Sequence, residues 1–185
     1  MTMKVFPADA WPKMRLVLST LTVILGALAL TPAKAEILSI SGATFFQQCS
    51  PACAPSGGVP TLDRGVLKAT DVSKFYASVE FPIGGQQICS FSIVYQDVNG
   101  NENMTARLFR KTFTLGGNVF NNPLAVATVN SANGVVQQVR KATTTAISPR
   151  GIAKGNSFYY VEIFFPTINL ALIGVQIDYR PTCPA

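Results

Sequence analysis

Histidine is absent from the 185-residue chain. Its absence excludes the Ser-His-Asp and Cys-His arrangements of nucleophilic catalysis and removes the general base whose pKa lies nearest neutral pH. The chain also lacks a G-x-S-x-G motif and a glycine-rich phosphate loop ahead of a helix. The sequence therefore predicts no catalytic residue and no cofactor.

Tryptophan and charge are both scarce. The single tryptophan, Trp11, lies near the N-terminus, and charged residues make up 13% of the chain. Because sugar-binding platforms favour large flat rings, the lack of further tryptophan counts against a glycan ligand, although tyrosine can serve the same purpose. After residues 1–35 are set aside, 11 basic and eight acidic groups remain, a net charge of +3. Such scattered charge offers no clustered patch for nucleic acid.

Residues 1–35 have the features of a cleaved N-terminal signal helix. Lys13 and Arg15 precede the apolar run "LVLSTLTVILGALAL", and Ala33 and Ala35 supply the small residues of a secretory cleavage site. The mature chain should begin at Glu36, whether translation starts at the first or the second candidate methionine, at positions 1 and 14. The run is shorter than the roughly 20 apolar residues of a membrane-spanning helix and contains hydroxyl residues. No stable membrane anchor is expected.

Four cysteines, an even number in an exported chain, predict two disulfides. Three pairings of Cys49, Cys53, Cys89 and Cys183 are open, and the pairing Cys89–Cys183 with Cys49–Cys53 is slightly favoured. A metal site is not expected, because histidine is absent and no second close cysteine pair exists. Residues 49–65 are expected to form an irregular, disulfide-tethered loop.

The rest of the chain alternates apolar and polar residues with a period of two, the pattern of strands with one wet side. Turn signals such as "FPIGGQ", "DVNGNEN" and "SPRGIAKGN" separate these strands. Short strands at near-regular spacing predict an all-β, antiparallel β-sandwich of jelly-roll-like type. Residues 36–185 are expected to form this single domain.

Four segments together, "FPIGG", "ARLFRK", "NSFYYVEIFFP" and "INLALIGVQIDYR", carry a family resemblance. Their order resembles that of a recurring all-β module of bacterial exported and phage-associated proteins, over roughly residues 72–179. The resemblance implies a sandwich fold and a bacterial envelope or secreted setting. It implies no catalytic or binding residue.

The stretch "NSFYYVEIFFP", residues 156–166, is the candidate binding element. Its inward set should be Tyr159, Val161, Ile163 and Phe165, which leaves three aromatic residues and an acid facing out. Large outward apolar patches usually mark an interface or a ligand surface. If the neighbouring strands share its sheet, a basic-aromatic face ringed by Lys74, Arg107 and Lys111 results. The candidate binding face comprises Tyr76, Arg107, Phe109, Phe158, Tyr160, Glu162 and Phe164.

Three uses of this face are open. A loop of the same chain, residues 49–65 or 114–123, could cover it; a second copy could bind it; or a glycan or other external ligand could bind it. We expect partial cover, with Tyr160 and Glu162 reachable from solvent. If Glu162 is fully covered, it needs a partner such as Arg107.

Paired carboxylates are the one catalytic chemistry that the composition leaves open. Glycoside hydrolysis needs two acids about 5–9.5 Å apart, and Glu80, Glu162 and Asp178 fall within predicted strands. Solvated, ion-paired acids are the expected alternative.

The sequence therefore predicts an exported, periplasmic or extracellular protein that is not an enzyme. It would be a β-sandwich binding or structural module with an unknown ligand. The partner would be a second copy, a glycan or another envelope component. A carbohydrate-binding module is the alternative prediction, and a carboxylate-dependent glycosidase is the second alternative.

Overall fold

A computed structural model describes residues 34–47, 61–63, 65–69, 72–82, 84–97, 102–113, 122–132, 138–168 and 170–184. Eleven strands form in this part of the chain. The first six are β1 (Glu36–Ser41), β2 (Phe46–Gln47), β3 (Thr61–Asp63), β4 (Val66–Lys68), β5 (Ser73–Val79) and β6 (Gln87–Asp97). The remaining five are β7 (Thr105–Thr112), β8 (Leu124–Asn130), β9 (Val139–Thr144), β10 (Ser157–Phe165) and β11 (Leu170–Arg180).

The strands form two antiparallel sheets. Sheet A has the order β3-β4-β11-β6-β9, with β1 also paired to β11, and sheet B has the order β2-β5-β10-β7-β8. From β4 to β11 the chain passes between the sheets at almost every step, so that β10 and β11, late in sequence, insert beside β5 and β4. This connectivity is that of a jelly roll. The predicted all-β sandwich is confirmed.

The core lies between the two sheets and consists of the inward residues of each alternation. In β10 the predicted inward set Tyr159, Val161, Ile163 and Phe165 is buried. Phe165 meets Phe75 of β5 edge to face, with ring centroids 5.5 Å apart. Each such side chain contributes on the order of 1.5–3 kcal/mol by leaving water. The alternate residues of β10 are consequently directed to the outer side of sheet B.

A short 3₁₀ turn, Gly42–Thr44, carries the chain from sheet A to sheet B. The Ser41 hydroxyl caps this turn by accepting a hydrogen bond from the Ala43 N–H at 3.3 Å. Gly42 is required by close approach, because a Cβ there would lie 2.5 Å from the carbonyl oxygen of Leu172. The turn delivers Phe46 of β2 to the edge of β5, where it pairs with Tyr76.

Cys89 of β6 and Cys183 form a disulfide, which confirms that predicted bond. It ties the segment after β11 to a strand that pairs with β11. Cys49 and Cys53, the second predicted pair, lie outside the described residues.

Two other predictions concern the segments before the main strands. The expectation of an irregular loop over residues 49–65 is wrong for Thr61–Asp63, which pairs with β4 as strand β3. The short "TLD" segment gives no strand signal because three residues are too few to show a period. The predicted signal helix lies outside the described residues except for its last two positions. Among the described residues, no helix is long and apolar enough to cross a membrane.

Candidate functional site

The outer side of sheet B places side chains from three adjacent strands next to one another. Glu162 of β10 lies opposite Tyr76 of β5 on one side and Arg107 of β7 on the other. Tyr160 lies between Ser78 of β5 and Phe109 of β7 in the same way. Because all seven predicted binding residues belong to β5, β7 or β10, the structure brings them to one face. We call this surface, with its rings Phe46, Tyr76, Phe109, Phe158, Tyr160 and Phe164, the aromatic face.

Glu162 is the electrostatic centre of the aromatic face. Its carboxylate accepts a hydrogen bond from the Tyr76 hydroxyl at 3.0 Å. Lys74 Nζ lies 3.5 Å from one carboxylate oxygen, and an Arg107 guanidinium nitrogen lies 3.6 Å from the other. Two cations and a phenol therefore satisfy a charge that would be costly to bury alone.

Glu162 is much less accessible to solvent than expected, since the residue is only 8% exposed. The long side chains of Lys74, Tyr76 and Arg107 close around it, which sequence spacing could not show. As expected for a covered carboxylate, Glu162 has a charged partner in Arg107. Tyr160 is half-buried, as expected for partial cover.

Both tyrosines of the aromatic face hold their protons tightly. Burial, together with the hydrogen bond to Glu162 and that residue's negative charge, raises the pKa of Tyr76 to about 12. Burial and the Glu162 charge also raise the pKa of Tyr160. Both phenols are therefore neutral hydrogen-bonding groups across the physiological pH range.

The rings support one another in two groups. Tyr160 stacks on Phe109 with centroids 5.2 Å apart and planes inclined by 19°, and its centroid lies 6.1 Å from that of Tyr76. Phe158 stacks on Phe113, with centroids 5.0 Å apart. Such contacts add about 0.5–1.5 kcal/mol each beyond area burial and fix ring orientation. The aromatic face thus presents pre-oriented rings rather than freely rotating ones.

Two concavities lie along the boundary between β5 and β10. The first, of about 390 Å³, is lined by Phe46, Tyr76, Ser78, Lys111, Tyr160 and Glu162, with one alanine. The second, of about 590 Å³, includes Glu80, Lys154 and Phe158. Ser78 and Tyr160 line both concavities. We call the two together the seam groove.

Lys154 is positioned by the loop before β10. Its Nζ donates a hydrogen bond to the carbonyl oxygen of Pro82 at 2.6 Å, which ties this loop to the one after β5. In the same loop, the Ala153 N–H donates a hydrogen bond to the hydroxyl of the buried Tyr159 at 3.0 Å. These two bonds shape the second concavity.

The three carboxylates considered for catalysis do not form a pair. Asp178 lies on β11 of sheet A and pairs with Arg180 at 2.7 Å, on the opposite side of the sandwich from Glu162. Glu80 directly follows β5 rather than lying within it. It stands four residues, about 13 Å of strand, from Tyr76, the cross-strand partner of Glu162. That span exceeds the glycosidase spacing. Among the described residues, no cluster of three metal-ligating side chains occurs either.

Sequence reasoning missed four contributors: Phe46, Ser78, Phe113 and Lys154. Alternation assigns Ser78 to the solvent side of its strand. The sequence does not show that its small side chain leaves space for a concavity. Phe46 lies on a two-residue strand, too short for a period. Lys154 belongs to a turn segment whose position beside β5 depends on non-local pairing. Conversely, three predicted residues lie on the aromatic face but line neither concavity of the seam groove: Arg107, Phe109 and Phe164.

No family model matches the chain, and a search of curated proteins gives no match. Solved structures with a similar fold include the C-terminal CBM6 of LamC, a marine laminarinase from Zobellia galactanivorans. The two are 11% identical with a TM-score of 0.44, over 77% of this chain and 98% of that one. The CBM36-1 domain of a xylanase from the hindgut metagenome of Trinervitermes trinervoides is 10% identical, with a TM-score of 0.43, over 77% and 96%. A cleaved adhesin domain of Lys-gingipain from Porphyromonas gingivalis is 11% identical, with a TM-score of 0.41, over 81% and 99%.

Proposed function

We propose that this protein is a non-catalytic carbohydrate-binding module that uses its aromatic face. The observation that carries the proposal is the position of Tyr160, whose pre-oriented ring lies where both concavities of the seam groove meet. A sugar ring has an apolar C–H face and a rim of hydroxyls. It therefore needs a flat ring to lie on and polar groups beside that ring.

The polar groups of the seam groove match this requirement. Tyr160 has Ser78 directly across the strand boundary, Glu162 two residues along its own strand, and Lys111 in the lining of the first concavity. Glu80 and Lys154 serve the second concavity. Small-molecule sites typically combine apolar surface with a few placed polar groups in roughly 300–1,000 Å³. Both concavities fall within that range.

Self-association through the aromatic face is the second candidate function. Phe46 and Phe158 favour it, being 59% and 62% exposed. Opposing it, a two-fold contact would bring the basic residues Lys74, Arg107 and Lys111 of both copies into one interface and so concentrate positive charge there. Light scattering across a concentration series distinguishes the two functions. A glycan-binding module keeps a monomer mass, whereas a self-associating one shows a rising mass that Phe158→Ala abolishes.

The direct test is a glycan array probed with the wild-type protein, Tyr160→Ala and Ile37→Ala. Ile37 is a matched control because it is an exposed apolar residue on β1 of sheet A, 64% exposed. Tyr160→Ala should lose at least roughly tenfold in affinity for any glycan that the wild type binds, about 1.4 kcal/mol, while Ile37→Ala binds normally. An array with no wild-type signal, or one on which Tyr160→Ala performs as well as wild type, overturns the proposal.

We also propose that the protein is exported, to the periplasm or the extracellular space. Three observations support this: the leader sequence, the start of β1 at Glu36, and the Cys89–Cys183 disulfide, a bond typical of oxidising compartments. The intact mass of the exported protein should correspond to a chain that begins at Glu36. Recovery of an uncleaved, membrane-embedded form would contradict it.

A further inference from the structure

The seam groove follows the strands rather than crossing them. At one end Tyr76 faces Glu162, and in the middle Ser78 faces Tyr160. Beyond the last of these pairs, Glu80 and Phe158 line the second concavity. The ligand-facing positions on β5 and just after it are thus residues 76, 78 and 80, a span of about 13 Å at the rise of an extended strand. A single site for one sugar unit would not need this length.

The middle of the groove is open because Ser78 is small. On β5 it lies between two larger outward side chains, Tyr76 and Glu80, and it is exposed. Across the boundary, Tyr160 presents its ring to the space that Ser78 leaves. A larger side chain at position 78 would fill this space and divide the groove into two separate concavities.

Each end of the groove combines an aromatic ring with charged groups of both signs. The first concavity has Tyr76 with Glu162 and Lys111. The second has Phe158 with Glu80 and Lys154. Each end can therefore stack on one sugar unit and hydrogen-bond to its hydroxyls, independently of the other end.

We infer that the seam groove binds an extended oligosaccharide chain, with sugar units in both concavities and one linkage passing over Ser78 beside Tyr160. This inference rests on the proposed function, since it names the class of carbohydrate that the aromatic face recognises. A free monosaccharide fills only one concavity and gains only part of the contact.

The first experiment measures affinity against chain length by titration calorimetry. The probes are monosaccharide-to-hexasaccharide series of β-1,4-linked glucose, of β-1,4-linked N-acetylglucosamine and of galacturonate. For whichever series binds, affinity should rise at least tenfold from the monosaccharide to the tetrasaccharide, equivalent to about 1.4 kcal/mol. It should then level off once both concavities are filled.

The second experiment uses Ser78→Phe, with Ser90→Phe as the matched control. Ser90 is an outward serine of β6 in sheet A, opposite Asp178. Aromatic residues are well tolerated in strands, so both variants should fold. Ser78→Phe should bind the tetrasaccharide no better than the monosaccharide, whereas Ser90→Phe should keep the full length dependence.

The outcomes separate failure of this inference from failure of the proposed function. If the monosaccharide binds as tightly as the hexasaccharide and Tyr160→Ala still abolishes binding, the extended-chain inference is wrong and the carbohydrate-binding function stands. Full length dependence in Ser78→Phe also overturns the inference. If the wild type binds no member of any series and no array glycan, the proposed function itself fails. The length series measured on the wild type tests the inference even if a variant does not fold.

Discussion

The two sheets of this sandwich have the same alternation but opposite kinds of outer face. On sheet A, outward polar side chains pair with each other: Ser92 with Thr143 at 2.9 Å, and Lys141 with Gln176 at 2.8 Å. On sheet B, the corresponding positions carry stacked rings around one buried acid. Both patterns let the inward residues form the same core. Folding therefore explains the outer face of sheet A, but it gives no reason for the exposed rings of sheet B.

The comparison shows that the exposed rings, which favour unwanted association, are confined to sheet B. Exposed apolar rings invite association and gain nothing for the core, so a surface that only needs to be soluble does without them. Sheet A combines polar pairs on its outer face with exposed aliphatic residues such as Ile37 and Val139, and it also holds the described disulfide. Sheet B supplies the seam groove. Three predictions test this division between a stabilising sheet and a binding sheet.

The largest expected effect comes from removing the disulfide of sheet A. Cys89 and Cys183 are 94 residues apart in sequence, and loss of a native disulfide typically costs about 2–5 kcal/mol. The double variant Cys89→Ala/Cys183→Ala should lose stability of that size in urea unfolding. Its affinity for a glycan bound by the wild type should be unchanged, because the bond lies on the other sheet from the seam groove.

A loss of glycan affinity in the double variant, under conditions in which it is still fully folded, would contradict this separation between a stabilising sheet and a binding sheet. It would show that the geometry of the seam groove depends on the C-terminal tether of sheet A. The single variant Cys89→Ala leaves a free thiol and is therefore the poorer probe.

The second prediction compares the two outward carboxylates. Glu162→Gln keeps the shape of the side chain but leaves Lys74 and Arg107 without this counter-charge. Because charge-assisted hydrogen bonds contribute about 1.5–3 kcal/mol and both cations are about half exposed, we expect a loss of about 1 kcal/mol, at the screened end of the range. Asp178→Asn on sheet A should be hard to distinguish from wild type, since Asp178 pairs with its neighbour Arg180 near the surface.

Urea unfolding at low and high salt checks this pair of variants. The Glu162→Gln deficit should shrink only in part at high salt, because the carboxylate is largely shielded from solvent whereas Lys74 and Arg107 are about half exposed. Equal deficits in Glu162→Gln and Asp178→Asn would mean that the two outer faces do not differ electrostatically.

The sequence was sufficient for the composition of the aromatic face but not for its assembly. Alternation in "KFYASVEF", "ARLFRK" and "NSFYYVEIFFP" correctly separates inward from outward residues, because a strand shows its two faces locally. Whether Tyr76, Arg107 and Tyr160 meet depends on β10 pairing with both β5 and β7. Those pairings join segments distant in sequence and follow from jelly-roll connectivity. No local pattern encodes them.

The seam groove itself was beyond sequence reasoning for a different reason. A cavity is defined by absent volume, and Ser78 contributes by being small between Tyr76 and Glu80. The burial of Glu162 likewise arises from three long side chains closing over it, whose rotamers depend on packing. The disulfide Cys89–Cys183 could be predicted because it needs only an inward cysteine and a C-terminal one, in line with strand alternation.

The smallest expected effect concerns two tyrosines that each donate a hydrogen bond to a carboxylate. Tyr76 donates to Glu162 on the aromatic face at 3.0 Å, and Tyr179 donates to Glu36 at the edge of sheet A at 2.7 Å. Burial raises the pKa of both phenols, with the carboxylate partner adding to the shift, and for Tyr76 the pKa reaches about 12. In the unfolded chain a tyrosine titrates near its ordinary value of 10.0.

The sign of the pH dependence follows from these values. A raised pKa means that the folded chain holds its phenol proton more tightly than the unfolded chain does. The stabilisation from Tyr76 is therefore fully present below about pH 10 and is lost as the pH rises towards about 12. Unfolding free energy measured by urea titration between about pH 9 and pH 12 should fall less steeply in Tyr76→Phe than in wild type. Tyr179→Phe should be less steep as well, because its pKa is also raised.

Comparison of the two variants sharpens the contrast between the sheets. Tyr179 is an inward residue, so Tyr179→Phe affects stability alone and should leave glycan affinity at neutral pH unchanged. Tyr76 lines the seam groove, so Tyr76→Phe should combine a flatter alkaline slope with a small loss of affinity, since its ring remains and only a hydroxyl is removed. If both variants bind glycan as the wild type does, the hydroxyl of Tyr76 serves only to hold Glu162 in place. The contribution of sheet B to binding would then come from its rings and from the space above Ser78.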